Sequence, residues 1–319
     1  MSAQAILPGV TAITTMIGAN PLALYLLHGE RTLLVDSGLR DMPEAVIFPT
    51  LEATGLPMRL DMLLNSHADA DHHGGNAGVL TRSPDTLIMC HALDAPRVTS
   101  KARHLRERYT DAVVADDTPY DPAILAWLAD GIGPDAPVHL ALQGGEQLWL
   151  GPRASWDVLH APGHTSGHLA LWSAEHGALI VQDAVLGGMC VEPDGAVGSP
   201  PPYFELEPYL ATLGRLRSLG AELLLGAHFP PLEGVATVER FFEASAQFVA
   251  ELDGLTLELV RAASTPLTLG AVCAAVDARL GPSSAPIQWL PPARAHLEQH
   301  ATQGRLRELR GDGPRAWVA

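Results

Sequence analysis

Lysine, cysteine and long apolar runs are all scarce in this chain of 319 residues. Lys101 is the only lysine and the formal net charge is −16, so we do not expect a general polyanion binder. The cysteines, Cys90, Cys190 and Cys273, lie far apart and are odd in number, which argues against a disulfide framework and favours a reducing compartment. No stretch reaches the roughly 18–20 apolar residues of a membrane span. We therefore expect a cytoplasmic protein that does not bind membranes.

What the sequence does contain is enough apolar material for a folded core. The chain is 47% hydrophobic and 18% charged, which excludes a disordered or fibrous protein. Its length suits one large domain with a smaller accessory one. The 30 glycines and 26 prolines are scattered, and they predict many tight turns between short elements.

Residues 1–235 contain two successive sets of predicted strands and helices. Apolar or β-branched runs bounded by turn residues predict strands, and apolar residues at helical spacing predict helices. The predicted strands are Val10–Thr15, Leu22–Leu27, Thr32–Val35, Arg59–Asn65, Thr86–Cys90, Gln147–Leu150, Trp156–His160, Leu169–Trp172, Ala178–Val181 and Leu223–Leu225. The predicted helices are Ala45–Thr54, Asn76–Thr81, Ala95–Tyr109, Pro122–Leu128 and Leu206–Leu219. This order favours an α/β fold, in particular an αββα sandwich.

Residues 236–319 differ in being mostly helical. Helices are predicted at Val238–Ala262, Leu267–Leu280 and Pro291–Gln303. A β-hairpin is predicted from Arg305–Leu309 and Arg315–Val318. Three helices and a hairpin are the layout of a small winged-helix-like domain, so we predict a domain boundary after residue 235.

The feature that carries chemistry is a cluster of histidines and aspartates directly after the strand Arg59–Asn65. His67, Asp69, Asp71 and His72 fall within six positions. Residues two apart in an extended segment point the same way, so His67 and Asp69 can bind one metal ion. Asp71 and His72 lie where the chain turns into a helix, and they can face a second ion.

Three more candidate ligands lie at the ends of later predicted strands. His164 follows Trp156–His160, Asp183 follows Ala178–Val181 and His228 follows Leu223–Leu225. Imidazoles and carboxylates in this mixture suit zinc, iron or manganese, with water in the open positions.

The whole pattern resembles the metallo-β-lactamase-fold hydrolase superfamily, whose signature is H-x-H-x-D-H followed by separate His, Asp and His ligands. Asp36 matches an aspartate that members of the family place after an early strand to support the metal site. The C-terminal region resembles the winged-helix-like domain of the LACTB2-like branch. The resemblance therefore implies a metallo-β-lactamase-type αββα sandwich with a winged-helix-like tail.

The resemblance implies two divalent metal ions, zinc above all, held by seven side chains. The first ion would take His67, Asp69 and His164, the second Asp71, His72 and His228, with Asp183 bridging the two. Asp69 departs from the family, which has histidine there. A carboxylate makes the first site harder and more negative, which moves its preference towards iron or manganese. Flavodiiron proteins of the superfamily have glutamate there and bind two irons.

The implied reaction is hydrolysis by a metal-activated water, in which Asp71 steers the water or passes a proton to the leaving group. With an acidic chain, we expect a small acyl substrate such as a thioester, ester or lactone, and no nucleic-acid partner. A metal-dependent endoribonuclease of LACTB2 type and an iron-dependent oxidoreductase are the alternatives. A homodimer is left open.

Two other histidines of the same motifs have weaker roles. His73 follows the cluster, and we expect it to face away from the ligands as a surface or packing residue. For His168, support of a ligand and a purely structural role are equally good interpretations.

Overall fold

Short apolar runs near the N-terminus pair into the first of two large sheets. A computed structural model describes residues 2–114, 116, 118–189, 198–311 and 313–319, so Cys190 falls outside it. The pairs from β1 to β4 are antiparallel, whereas the pairs from β4 to β7 are parallel. In this part of the chain the sheet has seven strands in sequential order, β1 to β7: Ser2–Leu7, Val10–Ile17, Asn20–His28, Thr32–Val35, Met62–Leu64, Leu87–His91 and Leu140–Leu142.

The second sheet is built from the later strands. Within the described ranges it contains β8 to β13: Gln147–Trp149, Ser155–His160, Leu169–Ser173, Ala178–Ile180, Leu223–Leu225 and Leu232–Glu233. Their order across the sheet is β13-β12-β11-β10-β9-β8. All neighbours are antiparallel except β11 and β12, which are parallel.

The two sheets pack face to face across one apolar core. Tyr25 and Leu33 of the first sheet belong to the same buried cluster as Trp156 and Val158 of the second. The parallel strands β4 and β5 are buried at every position because both of their faces are covered, which is the usual state of parallel sheets.

Helices cover the outer faces of both sheets. Phe48 packs with Leu63 outside the first sheet, and Leu213 and Phe242 pack with Leu179 outside the second. The layers are therefore helix, sheet, sheet and helix, which confirms the predicted α/β sandwich. Up to residue 217, the described helical segments are Pro43–Ile47, Phe48–Thr54, Ala70–His73, Asn76–Arg82, Ala95–Thr99, Lys101–His104, Leu105–Thr110, Asp111–Val114, Pro122–Gly131 and Leu206–Arg217.

The C-terminal region is helical with a small sheet. Its helices are Val235–Ala262, Leu269–Leu280, Pro286–Trp289 and Leu290–Thr302, and its strands, β14 to β16, are Leu267–Thr268, Arg307–Leu309 and Ala316–Val318. The three strands lie in the order β14-β16-β15. Trp289 and Trp317 are fully buried in a cluster that also contains Tyr203 and Tyr209, so this region packs against the sandwich. The domain boundary and the winged-helix-like character stay predictions.

Several elements of the structure differ from the predicted ones, including the edge strands of the first sheet and the start of a C-terminal helix. The strands Ser2–Leu7 and Leu140–Leu142 are not predicted, because each lies at an edge of the first sheet and is largely exposed, so its apolar pattern is weak. The second C-terminal helix begins later than expected, since Leu267–Thr268 is a short strand and the helix starts at Leu269. As the composition predicts, none of the described helices is both long and apolar enough to cross a membrane.

A buried aspartate joins the C-terminal region to the sandwich. The Asp116 side chain is fully buried, and its carboxylate contacts Arg315 Nε at 2.8 Å and Arg294 Nη2 at 2.7 Å. Both arginine side chains are themselves largely buried. Because removal of one partner of a buried ion pair leaves uncompensated charge, this contact makes the two regions depend on each other.

We expect Asp116→Ala to lower the free energy of unfolding by about 3–5 kcal/mol, because two guanidinium groups lose their buried counter-ion. Urea denaturation followed by circular dichroism measures the change. As a control, Glu258→Ala removes the exposed partner of Arg279 and should cost less than about 1 kcal/mol. Equal losses in the two variants would contradict the assigned role of Asp116.

A second polar contact inside the C-terminal region is sensitive to acid. The hydrogen bond from the His296 imidazole, together with His300 and Arg305, lowers the pKa of Asp253 to about 2, against the opposing effect of burial. The Asp253 carboxylate lies 3.2 Å from His296 Nδ1 and 3.2 Å from Arg305 Nη1. The folded state therefore favours the ionised form more than the unfolded chain does.

From this lowered pKa we expect Asp253 to stabilise the fold above its unfolded pKa of about 4, with the contribution lost as pH falls towards about 2. In the presence of a chelator, Asp253→Asn should be less stable than the unmodified protein at neutral pH, and the difference should shrink across that acidic range. Urea titrations at successive pH values measure it. The exposed Asp85→Asn is the control, and a difference that is independent of pH would disprove the coupling.

Candidate metal centre

All seven predicted ligands lie at one edge of the two sheets. The segment with His67, Asp69, Asp71 and His72 follows β5, His164 follows β9, Asp183 follows β11 and His228 follows β12. In open α/β sheets the carboxyl ends of parallel strands form such a crevice, because the connections that leave them meet there. The fold thus brings together residues that are up to 161 positions apart, from His67 to His228.

The first group of side chains is His67, Asp69 and His164. Asp69 Oδ2 lies 2.9 Å from His164 Nε2 and 3.6 Å from His67 Nε2. All three ligand atoms lie within 4.8 Å of one another, so one metal ion can contact them together.

The second group is Asp71, His72 and His228. Asp71 Oδ2 lies 3.8 Å from His72 Nε2 and 3.5 Å from His228 Nε2. These three ligand atoms also lie within 4.8 Å of one another, so one ion can contact them together.

Asp183 lies between the two groups. Its Oδ2 atom is 4.0 Å from His67 Nε2, 3.5 Å from His72 Nε2 and 3.4 Å from His228 Nε2. One carboxylate thus faces imidazoles of both groups, as the prediction for Asp183 requires.

The four imidazoles share one orientation, with Nδ1 held by the protein and Nε2 directed inward. His67 Nδ1 bonds Ser66 Oγ, and the Nδ1 atoms of His72, His164 and His228 bond Asp36 Oδ2 and the carbonyl oxygens of Pro202 and Pro21, respectively. Such outer hydrogen bonds fix the tautomer of metal-ligating histidines.

The inward atoms fit divalent cations. Among the described residues, the inward His67 Nε2 and His72 Nε2 are buried and have no hydrogen-bond partner, and the same holds for the second carboxylate oxygens, Asp69 Oδ1 and Asp183 Oδ1. Buried polar atoms are rarely left in this state unless an ion or water completes them. Nitrogen and carboxylate oxygen donors in this number suit zinc, iron or manganese.

Burial and mutual contact strongly shift the acid–base equilibria of the group. Burial would raise the pKa of Asp183, but the imidazoles of His228 and His72 hold it well below its usual range. Burial would lower the pKa of His72, yet the carboxylates of Asp71, Asp183 and Asp36 raise it well above the usual value. The pKa of His228 is raised for the same reason, chiefly by Asp183 against its own desolvation. For His67, desolvation prevails and its pKa falls well below normal.

Asp36 is the residue on which the orientation of the centre depends. Its buried carboxylate accepts hydrogen bonds from Ser66 N and Oγ and from Gln182 Nε2 at 2.6–2.8 Å, in addition to His72 Nδ1. Asp36 and Gln182 both have positive φ angles, of 64° and 46°, which non-glycine residues seldom adopt. Strained backbone of this kind persists where several contacts fix it, as they do here.

Asp94 is a supporting residue that the sequence analysis misses. Its buried carboxylate accepts from Ala68 N at 3.0 Å, from Thr165 Oγ1 at 2.6 Å and from Gly167 N at 3.2 Å. It therefore ties the loop that carries His67 to the loop that carries His164. Its place just after β6, where polar residues of parallel strands converge, is a signal that could have indicated it.

The remaining two histidines of the motifs are both buried. His73 Nε2 bonds His104 Nδ1 at 2.8 Å, which confirms a packing role rather than a surface position. His168 stacks on His67 with ring centroids 4.6 Å apart, and both of its nitrogens lack a hydrogen-bond partner among the described residues. It contacts a ligand through its ring face and not through a hydrogen bond.

Comparisons with known proteins give relatives of one kind. A family model described as the Metallo-beta-lactamase superfamily matches residues 19–228. Acyl-coenzyme A thioesterase MBLAC2 of Gallus gallus is 27% identical over 241 residues, which are 73% of this chain and 79% of the relative. Hydroxyacylglutathione hydrolase of Methylococcus capsulatus is 29% identical over 205 residues, which are 62% of this chain and 58% of the relative. The structure of the metallo-beta-lactamase family protein TTHA1429 from Thermus thermophilus is 25% identical and covers 98% of this chain and 99% of that one, with a TM-score of 0.74.

We expect Asp36→Ala to weaken binding of a divalent cation by about 10–100-fold, because His72 loses the acceptor that orients it. Zinc titration against a chromophoric chelator measures the affinity. Asp61→Ala is the matched control, since the Asp61 carboxylate also accepts two hydrogen bonds, from Thr32 N and Oγ1, but away from the centre. Unchanged zinc affinity in Asp36→Ala would show that the network does not support the ligands.

Proposed function

The chain belongs to the metallo-beta-lactamase superfamily and is a metal-dependent hydrolase, and from this premise we propose that it cleaves a small acyl substrate. The substrate class is a thioester, ester or lactone. The observation that carries the proposal is that seven potential metal ligands from four separate loops lie together in adjoining groups at one edge of the sheets.

We assign two divalent ions to the centre. The first would be held by His67, Asp69 and His164 and the second by Asp71, His72 and His228, and Asp183 would be available to both. Zinc is the proposed ion, with iron or manganese as alternatives because Asp69 supplies oxygen where the family supplies imidazole nitrogen. The unpartnered Nε2 atoms of His67 and His72 support this assignment.

The cations would supply an acidified water and electrophilic stabilisation of the developing oxyanion. The chain's own contribution to the chemistry centres on Asp71. His72 and His228 keep the pKa of the Asp71 carboxyl below its usual value, although burial opposes them. Asp71 is therefore ionised at neutral pH, and its side chain is 25% exposed, so it can accept a proton from the attacking water and return it to the leaving group.

The net charge and the relatives support the proposed substrate class. Two relatives carry names that describe hydrolysis of acyl-coenzyme A and of hydroxyacylglutathione, both of which are thioesters. A net charge of −16 disfavours a long polyanion. The arginines of the C-terminal region that pair with carboxylates are Arg279, Arg294, Arg305, Arg310 and Arg315. These carboxylates offset part of the basic charge that RNA would need, so an endoribonuclease is our second candidate.

To test the function, we would assay acyl-coenzyme A, acyl-glutathione, aryl ester, lactone, β-lactam and single-stranded RNA with protein loaded with zinc, iron or manganese. We expect turnover of at least one acyl substrate, and its loss after chelation with recovery on adding metal back. Elemental analysis of protein purified without added metal identifies the ion, and iron with a redox-active spectrum would favour the oxidoreductase.

Asp71→Asn should lower kcat on the acyl substrate by about 10²–10⁴-fold because the general base is lost, and elemental analysis of the variant separates this effect from loss of the second ion. The exposed Asp130→Asn, which removes only a surface partner of Arg40, is the control and should leave kcat unchanged. Cleavage of RNA without turnover of any acyl substrate would contradict the proposal, as would acyl hydrolysis that persists after the metal is removed.

A further inference from the structure

The first site has a positive charge built against its unusual ligand. Arg108 Nη2 lies 2.8 Å from Asp69 Oδ2, the same oxygen that faces His67 Nε2 and His164 Nε2. The guanidinium group therefore contacts the atom that would bind the ion, and not the far side of the carboxylate.

Arg108 is fixed in this position from three sides. Its side chain is only 6% exposed. Its Nη1 atom donates to the carbonyl oxygen of His164 at 3.3 Å, and its guanidinium carbon lies 3.7 Å from the ring centroid of Phe204. A buried guanidinium stacked on an aromatic ring and bonded to a carboxylate stays charged and has little freedom to reach a substrate.

We propose that Arg108 is the counter-charge that lets Asp69 act as an electrically neutral ligand of the first site. The proposal rests on the metal centre of the proposed function. A carboxylate adds one negative charge compared with an imidazole, and the guanidinium cancels it. Asp69 and Arg108 together thus have the same net charge as a neutral histidine at position 69, while Asp69 supplies an oxygen donor.

The counter-charge role predicts whether removal of Arg108 strengthens or weakens cation binding at the first site. If Arg108 only oriented Asp69, its removal would weaken cation binding at the first site. Because it also repels a cation at close range, removal of its charge should instead strengthen binding. Conversely, an imidazole at position 69 would face an uncompensated guanidinium, so Asp69→His should bind the first ion more weakly even though imidazole is a good zinc ligand.

The test is a set of zinc titrations that resolve the two sites, with bound metal counted by elemental analysis. We expect Arg108→Met to bind the first-site ion about tenfold tighter or more, and Arg108→Lys to remain close to the unmodified protein because it keeps the charge. Asp69→His should bind about tenfold weaker or more, and Asp69→His with Arg108→Met should recover. Arg103→Met, an exposed change in the preceding helical turn, is the control for the segment and should change neither affinity.

Each outcome of these titrations either supports or overturns the counter-charge role of Arg108. First-site affinity that is equal or weaker in Arg108→Met, compared with the unmodified protein, would overturn the counter-charge role while the metal centre stands. Absence of zinc binding in the unmodified protein would overturn the proposed centre and this inference together. If Arg108→Met fails to fold, as circular dichroism would reveal, the comparison of Asp69→His with the double variant Asp69→His and Arg108→Met still tests the proposal. First-site affinity that does not recover in the double variant would overturn it.

Discussion

The centre depends on one electrostatic condition: buried imidazoles and carboxylates must balance each other's charge where water cannot do so. Three carboxylates and four imidazoles meet there, and four buried atoms of these side chains have no hydrogen-bond partner in the described chain. Isolated buried charges are expensive, so such an arrangement is stable only with compensating groups. A pair of divalent cations supplies that compensation in our proposal, and the outer hydrogen bonds of Asp36 and Asp94 keep the ligands in place.

The sandwich satisfies this condition by placing the ligands on loops that begin at the ends of packed strands. β4 and β5 in one sheet and β11 and β12 in the other end at the same edge, and each is followed closely by a polar residue of the centre or its support. Hydrogen bonds between the two halves, such as Leu169 N to Ser66 O at 2.8 Å and Tyr25 Oη to Gly226 O at 2.8 Å, hold the loops in register. The core therefore sets the distances between ligands that have no local connection.

Asp69 and Arg108 illustrate how a change of ligand is tolerated. A carboxylate in place of an imidazole would leave the first site with an excess negative charge, and a guanidinium contacts that oxygen from a neighbouring helix. The same part of the chain also contacts the C-terminal region, because Asp116, eight positions beyond Arg108, pairs with Arg294 and Arg315. The segment that carries Arg108 is thus held between the centre and the tail.

The sequence by itself determined the sandwich, most of its strands and the identity of the seven residues that meet. These features follow from local pattern, since apolar runs define strands and the ligands stand directly at strand ends. Arg108, Asp94 and the His73–His104 pair were decided only by the tertiary structure. Each acts through a partner that is 26 to 39 positions away, between segments whose relative placement depends on packing. The edge strands Ser2–Leu7 and Leu140–Leu142 were missed for a related reason, because their pairing with a neighbour, and not their own composition, makes them extended.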